Sequence, residues 1–312
     1  MNFITSFFID LKIIYLHISK FGKFKYIKEI FQTMKVYISF DMEGTSGTAY
    51  RGQMGPDTNR PDAYRHAQRL ATDDAKAAID GVLEFESNAE IWFNDAHARS
   101  MNVFFDEFPE NVKIIIGSGE LMDEVLGLDS SFYALICIGA HGNVLTADAV
   151  LNHVWHVREV KFNGKSLSET GLNASLAGYY GVPLVAMSGD EASMRGIQEN
   201  LSNKIAAAVV KKGIGRYSAV CISPRITKKL IKETVIDGLK SRDEIPLVTY
   251  KNPITVEIDH LDQYRAYINK FYMPEDERFS PTKIRFVAKD VKEAYYGFLA
   301  RDRISFPRHN TF

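Results

Sequence analysis

A chain of 312 residues, 46% hydrophobic and 25% charged, is long enough for one large or two modest domains around a real core. A formal net charge of −1 gives no electrostatic basis for nucleic acid as the main partner. The 2 cysteines exclude a disulfide framework; Cys137 lies in the apolar run Leu135-Ile136-Cys137-Ile138 and reads as a core residue, which fits a reducing, cytoplasmic setting.

Residues 1–33 mix aromatic and isoleucine residues with Lys12, Lys20, Lys23, Lys25 and Lys28. Asp10 and Lys12 break the apolar stretch and no small-residue cleavage site follows. The segment is therefore a poor signal peptide and too interrupted to span a bilayer. It fits a surface-binding amphipathic helix, an extension packed on the body, or translation starting at Met34; we favour the Met34 start or a disordered extension.

From Lys35 the pattern alternates strand and helix. Val36–Phe40 is an apolar, β-forming run, and a Gly, Pro and Asn-containing loop follows to Pro61. Apolar residues from Ala67 to Val82 recur at three-four spacing, which predicts a helix over Ala63–Leu83. Ala89–Phe93, Val112–Ile116 and Phe132–Ile138 read as further strands. Near-continuous apolar strands between helices predict an α/β fold, a mostly parallel sheet covered on both faces. A β segment over His156–Phe162 ends in a turn at Asn163-Gly164. A helix near Ser168–Tyr180, a buried strand at Pro183–Met187, a helix near Asp190–Leu201 and a charged helix from Pro224 to Lys240 come next. The remainder alternates strand, helix, strand, helix, with Ile254–Ile258 and Ile284–Ala288 as strands. The expected organisation is an extension (1–33), a catalytic α/β domain (34–245) and a smaller C-terminal α/β layer (246–312).

Three strand ends carry the chemistry. Asp41 and Glu43 follow the first strand, two residues apart and so on one side of it, with Gly44 allowing a sharp turn. Converging carboxylates are costly unless a cation lies between them, although a solvated strand-to-loop junction is the plainer reading of this pair alone. His97 follows the second strand and His141 the fourth. In an open parallel sheet these ends share one edge, where the ligand crevice lies. Asp, Glu and two His suit Zn²⁺, and equally Mn²⁺ or Co²⁺. Glu169 opens a helix, where a first-turn glutamate next to a capping Ser166 or Ser168 needs no metal to explain it. His153 and His156 flank Val154-Trp155 and read as packed imidazoles or, for His153, a candidate acid/base. Asp95 is a candidate to orient His97, and Asp73-Asp74 reads as the polar face of a helix.

These motifs resemble a known family. Ser39-Phe40-Asp41-Met42-Glu43-Gly44 matches the opening of the zinc-dependent D-aminopeptidases of the dipeptide-transport operon type. Asn94-Asp95-x-His97, Gly139-x-His141, Asn152-His153 and Glu169-x-Gly171-Leu172-Asn173-Ala174 follow in that family's order, and the resemblance runs roughly from Met34 to Ala300. It implies a cytoplasmic metallopeptidase that releases N-terminal residues, D-alanine above all, from short peptides through a water activated between two zinc ions. Asp41 would bridge those ions, with Glu43, His97, His141 and Glu169 completing the ligand set. His153 would be the catalytic histidine, and Asn173 is the candidate for substrate binding. A ring-like homo-oligomer, a decamer, is also implied. The loops at Gly142–Asp148 and Tyr50–Asp62 depart from the family pattern, which leaves the preference for D over L residues open. A phosphoesterase or a non-catalytic metal-stabilised assembly is the alternative. No Gly-rich phosphate cradle or Arg cluster near the motifs supports the first, and no missing ligand marks the second.

Overall fold

The computed structural model describes residues 33–56, 58–117, 121 and 123–305. The expectations for residues 1–32 lie outside them. The elements in chain order are β1 (Lys35–Phe40), α1 (Pro61–Phe85), β2 (Glu90–Asp95), β3 (Val112–Ile115), β4 (Ala134–Ala140), β5 (Val157–Phe162), β6 (Lys165–Ser166), α2 (Glu169–Tyr179), β7 (Leu184–Asp190) and α3 (Glu191–Asn200). Then come β8 (Ala206–Gly215), β9 (Ser218–Cys221), α4 (Pro224–Lys240), β10 (Ile254–His260), α5 (Gln263–Tyr272), β11 (Glu277–Arg278), β12 (Lys283–Ala288) and α6 (Val291–Ser305).

The main sheet has 7 strands in the order β3-β2-β1-β4-β7-β8-β9. All neighbours are parallel except β8 and β9. Every residue of β4 and β7 is buried, as expected of strands covered on both faces. Helices α1 and α4 pack on one another, and α2 packs against β4 and β7. Helices α1 and α4 begin with proline, whose missing N–H costs nothing in the first turn. Helix α2 is capped by Ser168, which accepts from the Gly171 N–H. The order of the strands reverses between β1 and β4, so the chain runs outward in both directions from that pair. Their carboxyl ends form the crevice in which such sheets place ligands.

A second sheet of 5 strands, β11-β12-β10-β5-β6, is antiparallel throughout. It recruits β5 and β6 from well before Ile245, so the second layer draws on both sides of that position. Asn163 and Gly164 both have positive φ, as the tight turn joining β5 to β6 requires. The strands β8 and β9 have no counterpart in the sequence reading. The run Ala206-Ala207-Ala208 is weakly β-forming, and the charges of Lys211 and Lys212 obscure the apolar pattern. No helix among the described residues is long and apolar enough to cross a membrane.

One buried histidine gives the fold an acid-sensitive point. His260 ends β10 with no exposed surface, its Nε2 3.3 Å from Asn269 Nδ2. Burial, reinforced by the nearby charge of Arg265, pulls its pKa down to about 4. Between about pH 6.5 and 4 the unfolded chain binds a proton that the folded chain refuses, so stability falls on acidification through that window. His260→Gln is expected to lose about 3 kcal/mol less than the parent between those limits, by urea denaturation at a series of pH values.

Candidate metal centre

The backbone dictates where Asp41 and Glu43 stand. Asp41 N–H donates to Ile138 O at 2.8 Å, continuing the ladder one residue past β1. Gly44 N–H then donates to Gly139 O at 2.7 Å. Gly139 has φ +77°, and a Cβ added there would lie 1.9 Å from Asp41 O; one added at Gly44 would lie 2.1 Å from Ala140 O. No side chain fits at either position, so glycine is what lets the two strand ends approach. The loop that follows is held from below by Lys211, which is fully buried. Its Nζ donates to Glu43 O, Thr45 O, Thr48 O and Thr48 Oγ1 over 2.5 to 2.9 Å. Burial lowers the ammonium pKa to about 8. Asp74 also serves this loop, contrary to its reading as part of a polar helix face. It is 1% exposed and accepts from Ser46 N–H at 2.7 Å and Ser46 Oγ at 2.8 Å. Burial raises its pKa to about 6. Asp73 does face outward, pairing with Lys228.

The five expected ligands converge. Asp41 Oδ1 lies 3.0 Å from His97 Nδ1, and Asp41 Oδ2 lies 3.2 Å from His141 Nε2. Glu43 Oε2 is 2.9 Å from the same His97 nitrogen, and Glu169 Oε2 is 3.0 Å from the same His141 nitrogen. Asp41 thus spans two halves, one completed by Glu43 and His97, the other by His141 and Glu169. Each imidazole is aimed by its other nitrogen. His97 Nε2 is 2.8 Å from Met54 O, and His141 Nδ1 is 3.0 Å from Gly142 O. A carbonyl can only accept, so the inward nitrogen of each ring is left as a lone-pair donor in the neutral tautomer. Asp95 acts one step back, accepting from Asn102 N–H and Nδ2, while Asn102 Nδ2 also donates to His97 O.

The residues fit a metal. Glu43 Oε2 is buried and has no hydrogen-bond partner despite its nearness to His97. An orphaned carboxylate oxygen beside a second carboxylate is costly without a cation. Asp41, Glu43 and His141 offer ligand atoms within 4.8 Å of one another, and so do His141, His153 and Glu169. The electrostatics agree. Burial opposes ionisation of Asp41, but the bonds from His141 and His97 outweigh it and hold the carboxyl well below its usual range. Burial likewise opposes charge on His97 and His141, yet the carboxylates around them, Glu43 and Glu169 foremost, drive both pKa values well up. Glu169 is held at about 2, burial again being outweighed by His141 and His153. The cluster demands positive charge, which metal ions supply in exchange for protons.

His153 sits over this cluster. Its ring stacks on His141 with centroids 4.3 Å apart and planes 6° apart. The loop is folded back by His153 N–H donating to Gly142 O, and Asn152 Nδ2 ties the carbonyls of Val144 and Thr146. His153 Nδ1 donates to Leu151 O at 2.8 Å, leaving Nε2 3.9 Å from Glu169 Oε1 and 4.0 Å from Glu43 Oε1. His156 stands apart, paired with Asp302 at 2.9 Å. Asn173 is 1% exposed, and both ends of its amide are occupied: Nδ2 donates to Glu124 Oε2 and Oδ1 accepts from Tyr295 OH. Glu124 was absent from the sequence reading. It lies against Glu169, and burial followed by the charges of Glu169 and Asp41 pushes its pKa well up. It occupies the segment that follows β3, whose carboxyl end lies on the same sheet edge. It stands nine residues past Ile115, the last residue of β3, so no strand-end signal in the sequence marks it.

The match to known proteins follows the same span. The family model described as D-aminopeptidase matches residues 34–300. The chain belongs to the D-aminopeptidase family. Family membership makes it a peptidase, and the α/β fold expected from the alternating strands and helices agrees with that class. The D-aminopeptidase of Bacillus subtilis (strain 168) is 28% identical over 279 residues, covering 87% of this chain and 98% of the relative. A solved structure described as the Zn-dependent D-aminopeptidase DppA from Bacillus subtilis, a self-compartmentalizing protease, superposes with a TM-score of 0.81 at 27% identity. That match covers 89% of this chain and all of the other, 100%.

Lys211→Met removes the cation from beneath the Glu43 loop; Thr48 O loses its donor, and Glu43 O and Thr45 O keep only the Thr48 hydroxyl and N–H. The expected cost is on the order of 3 kcal/mol in urea denaturation, together with weaker metal retention on dialysis.

Proposed function

We propose that the protein is a zinc-dependent aminopeptidase acting on short peptides, and that zinc would be held by Glu43 and His97, by His141 and Glu169, and by Asp41 shared between the two pairs. The observation that carries this reading is the position of the Asp41 carboxylate, with one oxygen toward each imidazole. Zinc, when bound, supplies Lewis acidity and lowers the pKa of coordinated water. The chain's own residues do the rest. Met54 O and Gly142 O hold the two imidazoles in ligating orientation. Burial of Glu43, His97, His141 and Glu169 excludes bulk water and strengthens every charge interaction. His153, with Nδ1 committed to Leu151 O, presents Nε2 toward the cluster to take up or deliver a proton, or to hydrogen-bond the developing oxyanion. A ligating role for His153 is the second reading, favoured by its convergence with His141 and Glu169.

The names of the relatives support a D-amino acid as the preferred first residue; D-alanine in particular and a cytoplasmic setting are what the motif resemblance implies. Self-association is supported by the description of the solved relative as self-compartmentalizing, and a ring-like decamer is the form the motif resemblance implies. Light scattering on a sizing column is expected to return about ten times the 35.3 kDa chain mass, and a monomer overturns it.

A panel of D- and L-aminoacyl substrates and phosphoesters, with and without chelator, tests the activity. Chelator-sensitive release of N-terminal residues is expected, and phosphoester cleavage alone overturns it. Asp41→Ala is expected to lose zinc and activity together, and a variant retaining two zinc ions by elemental analysis overturns the bridging role. His153→Ala is expected to keep its zinc while kcat falls by about 10²–10⁴. Zinc loss in that variant favours the ligating role, and an unchanged kcat removes His153 from the chemistry.

A further inference from the structure

The site holds one carboxylate that the ligand set does not use, and the protein positions it with care. Ser39 Oγ donates to Glu124 O at 2.8 Å, and Tyr37 OH donates to Leu126 O at 2.8 Å. Asn94 Nδ2 donates to Asp123 O at 3.3 Å. Side chains of β1 and β2 thereby fix the backbone on both sides of Glu124. The carboxyl group itself is held by Asn173 Nδ2 at 2.5 Å. Asn173 is in turn held by Tyr295 OH from α6, a hydroxyl that also reaches Asp123 Oδ1 at 3.1 Å.

Solvent reaches this cluster through few of its members. The side chains of His97, Glu43, His141 and Glu169 are each less than a tenth exposed. Asp41 at 16%, His153 at 32% and the partly exposed Glu124 form the accessible face. A substrate entering there meets Glu124 beside the ligands.

An aminopeptidase must distinguish a cationic amino terminus from an interior amide. Discrimination of that size comes from a buried or half-buried polar group that is left unpaired by the wrong substrate. Asp41, Glu43 and Glu169 are committed to metal in this reading. Of the remaining nearby carboxylates, Asp95 is buried and engaged at both oxygens by Asn102, and Asp123 is buried and engaged at both by Val125 N–H, Tyr295 and Tyr296, whereas the partly exposed Glu124 accepts from Asn173 through Oε2. We propose that Glu124 receives the α-amino group of the substrate's first residue, through a carboxyl group positioned by Asn173. The proposal rests on the aminopeptidase reading above and assigns the specificity for a free amino terminus within it.

The test uses the full-length zinc-loaded protein hydrolysing alanine p-nitroanilide of either hand, with inhibition by the matching alaninamide and by propionamide, which lacks only the amino group. In the parent, alaninamide is expected to inhibit more tightly than propionamide. Glu124→Gln preserves size and an acceptor for Asn173, and is expected to shrink that preference at least tenfold by weakening alaninamide, leaving propionamide inhibition and zinc content unchanged. Glu124→Asp, which retains a carboxyl group, is expected to recover part of the preference. An unchanged preference in Glu124→Gln overturns the proposal, and loss of zinc from that variant overturns it in favour of a ligand role. If Glu124→Gln does not fold, Glu124→Asp carries the test: an unchanged preference for alaninamide despite the shortened side chain overturns the proposal, and a reduced one supports it. A parent protein inactive on both anilides removes the aminopeptidase reading and the proposal together, whereas an active parent with an unchanged variant removes the proposal alone.

Discussion

Carboxylates do not gather in a protein interior without a counter-charge. Here Asp41, Glu43 and Glu169 meet at the carboxyl edge of one sheet, and the rest of the molecule is arranged around that repulsion. The carboxylates drive the pKa values of His97 and His141 up against the effect of burial. A metal ion held at those nitrogens would supply the same positive charge. The parallel sheet makes the meeting feasible because the reversal of strand order between β1 and β4 opens a crevice where loop residues from both strands face one another.

Holding that arrangement requires exceptions to ordinary packing rules. A buried lysine is normally avoided, yet Lys211 stands under the Glu43 loop and supplies donors to carbonyls that no secondary structure satisfies. Asp74 is buried close by, held through Ser46. Gly44 and Gly139 give up side chains so that two strand ends can touch. Each device works on the backbone beneath the ligands. The ligands themselves are then free to point their polar atoms at a common centre.

Much of this was legible in the sequence. The apolar runs of β1, β2 and β4 were long enough to define a parallel sheet, and their ends named Asp41, Glu43, His97 and His141 without help from any relative. Glu169 was not legible that way, because a glutamate after Ser168 satisfies helix capping rules on its own; the family motif supplied it. Lys211 and Asp74 were missed because a charged residue beside an apolar run or within a helix normally faces water, and only the fold shows which ones are enclosed. The strands β8 and β9 were missed for a related reason, their alanines and lysines giving weak β signals. The second sheet shows the limit of reading in chain order, since β5 pairs with β10 across a long interval that no local pattern records.

The β5–β6 hairpin has a mechanical meaning. His153 lies just before β5 and Glu169 just after β6, so both are feet of one rigid excursion that leaves the main sheet and returns to it. The Trp155 N–H clamps the two feet by donating to Glu169 Oε1. His153 and Glu169, the residues proposed to handle the proton and to hold metal, are thereby tied to one another like two prongs on a single stem. The span between them is set at the base, while the tip of the hairpin is moored separately, Asn163 pairing with Lys251 O and with both the N–H and the carbonyl of Thr255.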